Sequence, residues 1–202
     1  MKYTDIDPRK TAFIFELDNV LYPEKDYLFQ VYYLFAGYLE YLHLIDATEA
    51  TSLMVDTFNN DGKKAVFAAV QKKYGLDNKY QIHFNFLMDT ANVPLKLLLY
   101  QSMLELMQDI VVDRKKLFIV TNGNAARQLN KIKHMEWHGL EQFLICYFAC
   151  EVLPKPEPDI INKILADHNL RRGDIVMFGN TDEDLMCAEA SGVDYVNVSQ
   201  FL

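Results

Sequence analysis

Two carboxylates, Glu16 and Asp18, stand one residue apart where the apolar run Ala12–Phe15 gives out, in the stretch AFIFELDNVLYP. Other short apolar runs also end in reactive or polar side chains. Leu117–Val120 leads into Thr121-Asn122-Gly123-Asn124. Cys146–Ala149 precedes LPKPEPD, which carries Lys155. Ile175–Phe178 leads into Gly179-Asn180-Thr181-Asp182-Glu183-Asp184, and Val193–Val198 forms a fifth run. Together these residue types suit one chemistry. A hydroxyl, free N–H groups at a helix start and an ammonium hold a phosphate. Clustered acids with an amide oxygen hold Mg2+, which prefers hard oxygen ligands. One acid facing a phosphoryl group can attack it while a neighbouring acid protonates the leaving oxygen.

Such residues must be brought together by the chain. Continuous apolar runs suit parallel strands covered on both faces. Helical patterns fill the intervals at Ala125–Met135, Pro158–Asp167 and Asp182–Ala190. Strand alternating with helix implies an α/β fold around a Rossmann-like parallel sheet. Ligands in such sheets bind beyond the carboxyl ends of the strands, which is where all of these polar residues fall. From Tyr22 to Val93 the rhythm changes to helical periodicity rich in Tyr, Phe and Leu. This interval reads as a helical insertion. Val93–Met107 is expected to return to the core as a helix. The division is therefore residues 1–21 and 94–202 for the α/β core, with 22–93 as a helical cap.

The ordered set resembles the haloacid dehalogenase (HAD)-like hydrolase superfamily, in its phosphatase branch with a helical cap after the first strand. The stretch Glu16-Leu17-Asp18-Asn19-Val20 stands where that family has Asp-x-Asp-x-Thr or Val. Thr121 in VTNGN, Lys155 in KPEPD, and Gly179 to Asp184 match the second, third and fourth motifs, over a span from Phe13 to Val198. The resemblance implies roles. Glu16 takes the nucleophile's place and Asp18 the general acid's. Thr121 and Lys155 hold the phosphoryl group, assisted by the amides of Asn122 and Gly123. Glu16, the Asp18 carbonyl, Asn180 and Asp184 form the Mg2+ shell, with Asp184 able to act through water. The implied partner is a small-molecule phosphate ester, over which the cap closes to exclude water.

Two residues depart from the family pattern. Its nucleophilic Asp is here Glu16, and its metal-binding Asp after the fourth-motif glycine is here Asn180. The added methylene carries the carboxylate about 1.5 Å further along its stem. A misplacement of about 1 Å can cost roughly 100-fold in rate. Asn180 offers Mg2+ an oxygen without a charge. Three expectations follow: a slow Mg2+-dependent phosphatase, a protein that binds a phosphorylated ligand without turnover, or another chemistry on the same scaffold.

Bulk properties narrow the partners. The 202 residues carry a formal net charge of −8 and no basic run, so nucleic acid is not expected as a bound scaffold. No apolar run approaches membrane-spanning length, and MKYTDIDPRK lacks a signal-peptide core. Three cysteines, Cys146, Cys150 and Cys187, fit buried structural thiols in a reducing cytoplasm. His134 and His138 are spaced like two metal ligands on a helix, but no third ligand accompanies them. Asp182 and Glu183 read as first-turn acids favoured by the helix dipole.

Overall fold

The computed structural model describes residues 2–200. Five parallel strands form one sheet: β1 (Ala12–Phe15), β2 (Lys116–Thr121), β3 (Leu144–Phe148), β4 (Ile175–Gly179) and β5 (Asp194–Asn197), in the spatial order β3-β2-β1-β4-β5. β1 is central and wholly buried. Its partners run in register on both sides, Phe15 lying level with Ile119 on β2 and with Phe178 on β4. β4 runs one residue beyond that level, to Gly179, and β2 two, to Thr121, so the three carboxyl ends open on the same edge of the sheet. The rings of Phe15 and Phe178 stack with centroids 4.7 Å apart directly beneath that edge, which fixes the height from which Glu16 projects.

The described residues include eight α-helices: α1 (Glu24–His43), α2 (Ala47–Asp61), α3 (Val66–Tyr74), α4 (Lys79–Thr90), α5 (Gln101–Val112), α6 (Ala125–His134), α7 (Asp159–His168) and α8 (Asp182–Ser191). Ile160, Ile161 and Ile164 of α7 and Cys187 and Ala188 of α8 pack in one buried cluster with Ile14, Val120 and Met177 of the sheet. Expectation and structure differ after the helical interval. The helix expected over Val93–Met107 is Gln101–Val112, and the chain from Ala91 to Tyr100 is not helical. Pro94 lacks a donor and restricts the residue before it, which breaks the apolar periodicity read as one helix.

The chain divides into two compact units. One comprises Met1–Glu24, Leu98–Gln128 and Met135–Leu202 and contains the sheet. The other comprises Lys25–Leu97 with Leu129–His134. This helical unit is knit by rings: Phe35 meets Phe84 edge-on at 5.0 Å, and His83 stacks on Tyr38 at 3.8 Å. Tyr27 donates to the Met88 carbonyl, and the Asn130 side chain donates to the Ala91 carbonyl and to the Tyr27 hydroxyl. Those bonds are why Leu129–His134, far off in the chain, belongs to this unit. His134 bonds the Asn130 carbonyl and Asn92 side chain, an ordinary structural use of both ring nitrogens. Of the cysteines, Cys187 is buried, Cys146 is partly buried and Cys150 is exposed. The last corrects the expectation of three buried thiols, because β3 ends at Phe148 and Cys150 lies in the turn beyond it.

Candidate active site

The site is built at the carboxyl edge of β1, β2 and β4, within the sheet-containing unit. Glu16 follows β1 directly and is 7 % exposed, in a place where an unpaired charge would be costly. One carboxylate oxygen, Oε1, accepts from the Thr121 hydroxyl at 2.6 Å and from the Leu17 N–H at 2.9 Å. The other, Oε2, is in direct contact with the Lys155 ammonium. Lys155 also donates to Asp184 Oδ1 at 2.5 Å and to the Val120 carbonyl at 3.3 Å. One buried cation therefore serves two buried carboxylates.

Asp184 is fixed from its own side by local chain geometry. Thr181 is the N-cap of α8, accepting from the Asp184 N–H, and the Asp184 carboxylate reaches back. Its Oδ2 accepts from the Thr181 hydroxyl at 2.8 Å and from the N–H groups of Thr181 and Asn180 at 3.2 Å. Gly179 is required here. A Cβ on it would lie 2.5 Å from the Asp184 Cβ and 2.8 Å from Oδ2, so only glycine lets the strand end approach this carboxylate.

Lys155 is placed by Asn122. The Asn122 side chain accepts from the Lys155 N–H at 2.9 Å and donates to the Lys155 carbonyl at 3.0 Å, pairing with the loop backbone as a strand would. It also donates to Glu183 at 3.1 Å, so Glu183 does more than complement the helix dipole. Asn124 caps α6 by accepting from the Arg127 N–H. One turn later Gln128, 3 % exposed, donates to the Thr121 hydroxyl oxygen at 2.6 Å and to Asp18 Oδ2 at 3.0 Å. The other Asp18 oxygen accepts from the Tyr22 hydroxyl at 2.8 Å. Asn19, in the left-handed region at φ 58°, makes the turn that brings Tyr22 back onto Asp18.

Sequence reasoning named Glu16, Asp18, Thr121, Asn122, Lys155, Asn180 and Asp184, and these converge at one edge, with Gly123 exposed in the bend after β2. It missed Tyr22, Gln128, Thr181 and the side-chain work of Asn122. A signal existed for Gln128: a polar residue four positions after the cap Asn124, on the helix face that Ile132 and the core would claim. Tyr22 carried none beyond proximity.

The electrostatics follow from burial and pairing. Burial pushes the Glu16 carboxyl above its ordinary value, against the pull of the Lys155 charge and the Thr121 hydroxyl. Burial pushes Asp184 the same way, but Lys155 and the bonds from Thr181 and Asn180 outweigh it and hold that carboxyl below its ordinary value. Burial opposes the charge on Lys155, and the two carboxylates more than offset it, so the ammonium stays protonated.

Whether the residues suit a divalent cation can be judged from their oxygens. Asn180 Oδ1 is buried and has no hydrogen-bond partner, while its Nδ2 donates to the Asn19 carbonyl at 3.3 Å. This orphaned hard oxygen, on the residue whose backbone N–H bonds Asp184, suits a Mg2+ ligand. A shell here is weakly charged: among the described residues no three His, Cys, Asp or Glu side chains gather as a metal-binding group. Asp184 has both oxygens committed, which suits action through a bridging water.

Comparisons with known proteins bear on this arrangement. A family model described as haloacid dehalogenase-like hydrolase matches residues 13–198. No curated protein matches the chain. Among solved structures, a putative beta-phosphoglucomutase from Thermotoga maritima superposes with a TM-score of 0.62 at 16% identity, covering 90% of this chain and 82% of that one. A putative haloacid dehalogenase-like hydrolase from Bacteroides fragilis gives 0.59 at 14% identity, covering 92% and 86%. A HAD family hydrolase from Deinococcus radiodurans, solved with bound phosphate and sodium, gives 0.58 at 18% identity, covering 94% and 80%. At these identities the superpositions speak for the fold alone. The family match over nearly the whole length makes the chain a member of the haloacid dehalogenase-like hydrolase family.

Proposed function

We propose that this hydrolase cleaves phosphate monoesters of small metabolites slowly, with Mg2+ as cofactor. The observation that carries the reading is the meeting, at one strand edge, of a buried carboxylate with the hydroxyl and ammonium suited to a phosphoryl group: Glu16, Thr121 and Lys155. Glu16 would form the new O–P bond as the ester oxygen leaves with a proton from Asp18. The resulting acyl phosphate would be hydrolysed by water whose proton passes to Asp18. Thr121 and Lys155 would hold the equatorial oxygens, assisted by the Asn122 and Gly123 amides. Glu16, the Asp18 carbonyl and Asn180 would hold Mg2+, with Asp184 behind them. The ion would neutralise charge on the transferring group. The helical unit is the candidate for substrate choice.

A second reading, binding of a phosphorylated ligand without turnover, is favoured by one specific observation. Both oxygens of Glu16 are engaged by the donors that the phosphoryl group itself would need. Turnover of an aryl phosphate and a panel of phosphorylated metabolites, with and without Mg2+, separates the two. Mg2+-dependent release of phosphate by the native chain, lost in Asp18→Asn, supports hydrolysis. Saturable binding of a phosphorylated metabolite with no release supports the second reading.

A further inference from the structure

Glu16 does more than stand in the nucleophile's place. Its carboxylate accepts from the Leu17 N–H, the Thr121 hydroxyl and the Lys155 ammonium, three convergent donors of three kinds. Such a set of backbone N–H, hydroxyl and cation is an oxyanion cradle. Glutamate reaches its far end because its stem is about 1.5 Å longer than that of aspartate. The donors are also deeply buried, Thr121 at 1 % and Lys155 at 3 % exposure. Few competing waters can serve the cradle in place of a carboxylate.

Charge supports the same conclusion. With Glu16 ionised against the ammonium, Lys155 contributes +1 and Glu16 and Asp184 −1 each, so the buried trio carries −1 in that state. A phosphoryl group brought in beside a seated Glu16 would add negative charge to a negative, desolvated place, which is unfavourable. Moving the Glu16 carboxylate out first leaves Lys155 and Asp184 balanced and three donors free.

Resting on the reading of this crevice as a phosphoryl site, we infer that Glu16 is a tethered competitor for the chain's own oxyanion cradle. Its carboxylate sits where an oxygen of the ligand must go, and a phosphorylated ligand enters by displacing it. The measured affinity for an anion is then the intrinsic affinity reduced by the fraction of molecules in which the cradle is open. A cradle open about one time in ten, or less, weakens binding at least tenfold.

Calorimetric titration of orthophosphate, without Mg2+, tests this on the full chain. Native protein is compared with Glu16→Ala, Glu16→Asp and Glu16→Ala/Thr121→Val. The expected result is phosphate binding at least tenfold tighter in Glu16→Ala than in the native chain, and lost again when Thr121→Val is added. Glu16→Asp, which keeps the charge and shortens the stem, carries the same expectation of tighter binding if Glu16→Ala does not fold. Equal affinity in native and shortened variants, still dependent on Thr121, overturns the competitor role and leaves the phosphoryl site standing. Absence of phosphate binding in every folded variant overturns the phosphoryl site itself, and the competitor with it.

Discussion

Asp184 and Glu16 both contact the Lys155 ammonium, yet the two sides of that ion pair are constructed differently. Asp184 is held by its own neighbourhood: the Thr181 hydroxyl, two backbone N–H groups and a glycine that admits its close approach. None of these is a group that a phosphoryl ligand would use. Glu16 is held, apart from the adjacent Leu17 N–H, by Thr121 and Lys155, which are the proposed ligand-holding groups. Family members place an acid at each of these positions, but here one is a fixed part of the framework and the other competes with the ligand. A carboxylate can thus be structural or exchangeable according to who supplies its donors.

The largest effect expected from this contrast is on the framework side. Asp184→Ala removes the fixed partner of a buried cation and frees three capping donors. It should cost about 3–5 kcal/mol in urea denaturation. Gly179→Ala leaves the charges in place but forces a Cβ against Asp184, and about 1–3 kcal/mol is expected from that overpacking. Glu16→Gln should cost less than about 1 kcal/mol, since Lys155 keeps Asp184 and an unfavourable buried charge is removed. A loss for Glu16→Gln as large as for Asp184→Ala would erase the distinction between the two sides.

The pH dependence of stability sharpens the same comparison with a smaller effect. Asp184 has its folded-state value lowered, so its contribution is full above the ordinary carboxylate value of 3.8 and is lost as pH falls below it. Glu16 has its folded-state value raised above 4.5. In the window above 4.5 the folded chain binds more protons at this site than the unfolded chain. Stability therefore declines as pH rises through that window. Glu16→Gln should flatten this decline, as read from denaturation midpoints between pH 4.5 and neutrality, and leave the acid-side loss in place. An unchanged slope would mean that Glu16 titrates as it does in the unfolded chain.

The sheet and the edge it creates were legible in the sequence because each buried strand is a continuous apolar run with its polar residues just beyond it. Thr121, Lys155, Glu16 and Asp184 could be grouped on that ground alone. What could not be read was who bonds to whom. Asn122 looked like a turn residue with a useful amide, whereas its side chain pairs with the Lys155 backbone thirty-three residues away. Gln128 looked like part of a helix, whereas it joins Thr121 to Asp18. The pattern around Gln128 marks a polar residue on a core-facing helix position but not its partners, and Asn122 carries no such mark, since the Asn122–Lys155 and Gln128–Asp18 contacts depend on segments that meet only after the sheet has formed. Pro94 is a different case: the signal was local, a residue that cannot continue a helix, and apolar periodicity ran through it.

In the proposed function, phosphoryl transfer at this edge is held back by the length of Glu16 and the missing charge of Asn180. Steady-state turnover of an aryl phosphate in saturating Mg2+ by Glu16→Asp/Asn180→Asp, set against the native chain, tests it most directly. A rate at least tenfold above the native one is predicted. A native rate equal to or greater than that of the double variant would contradict it.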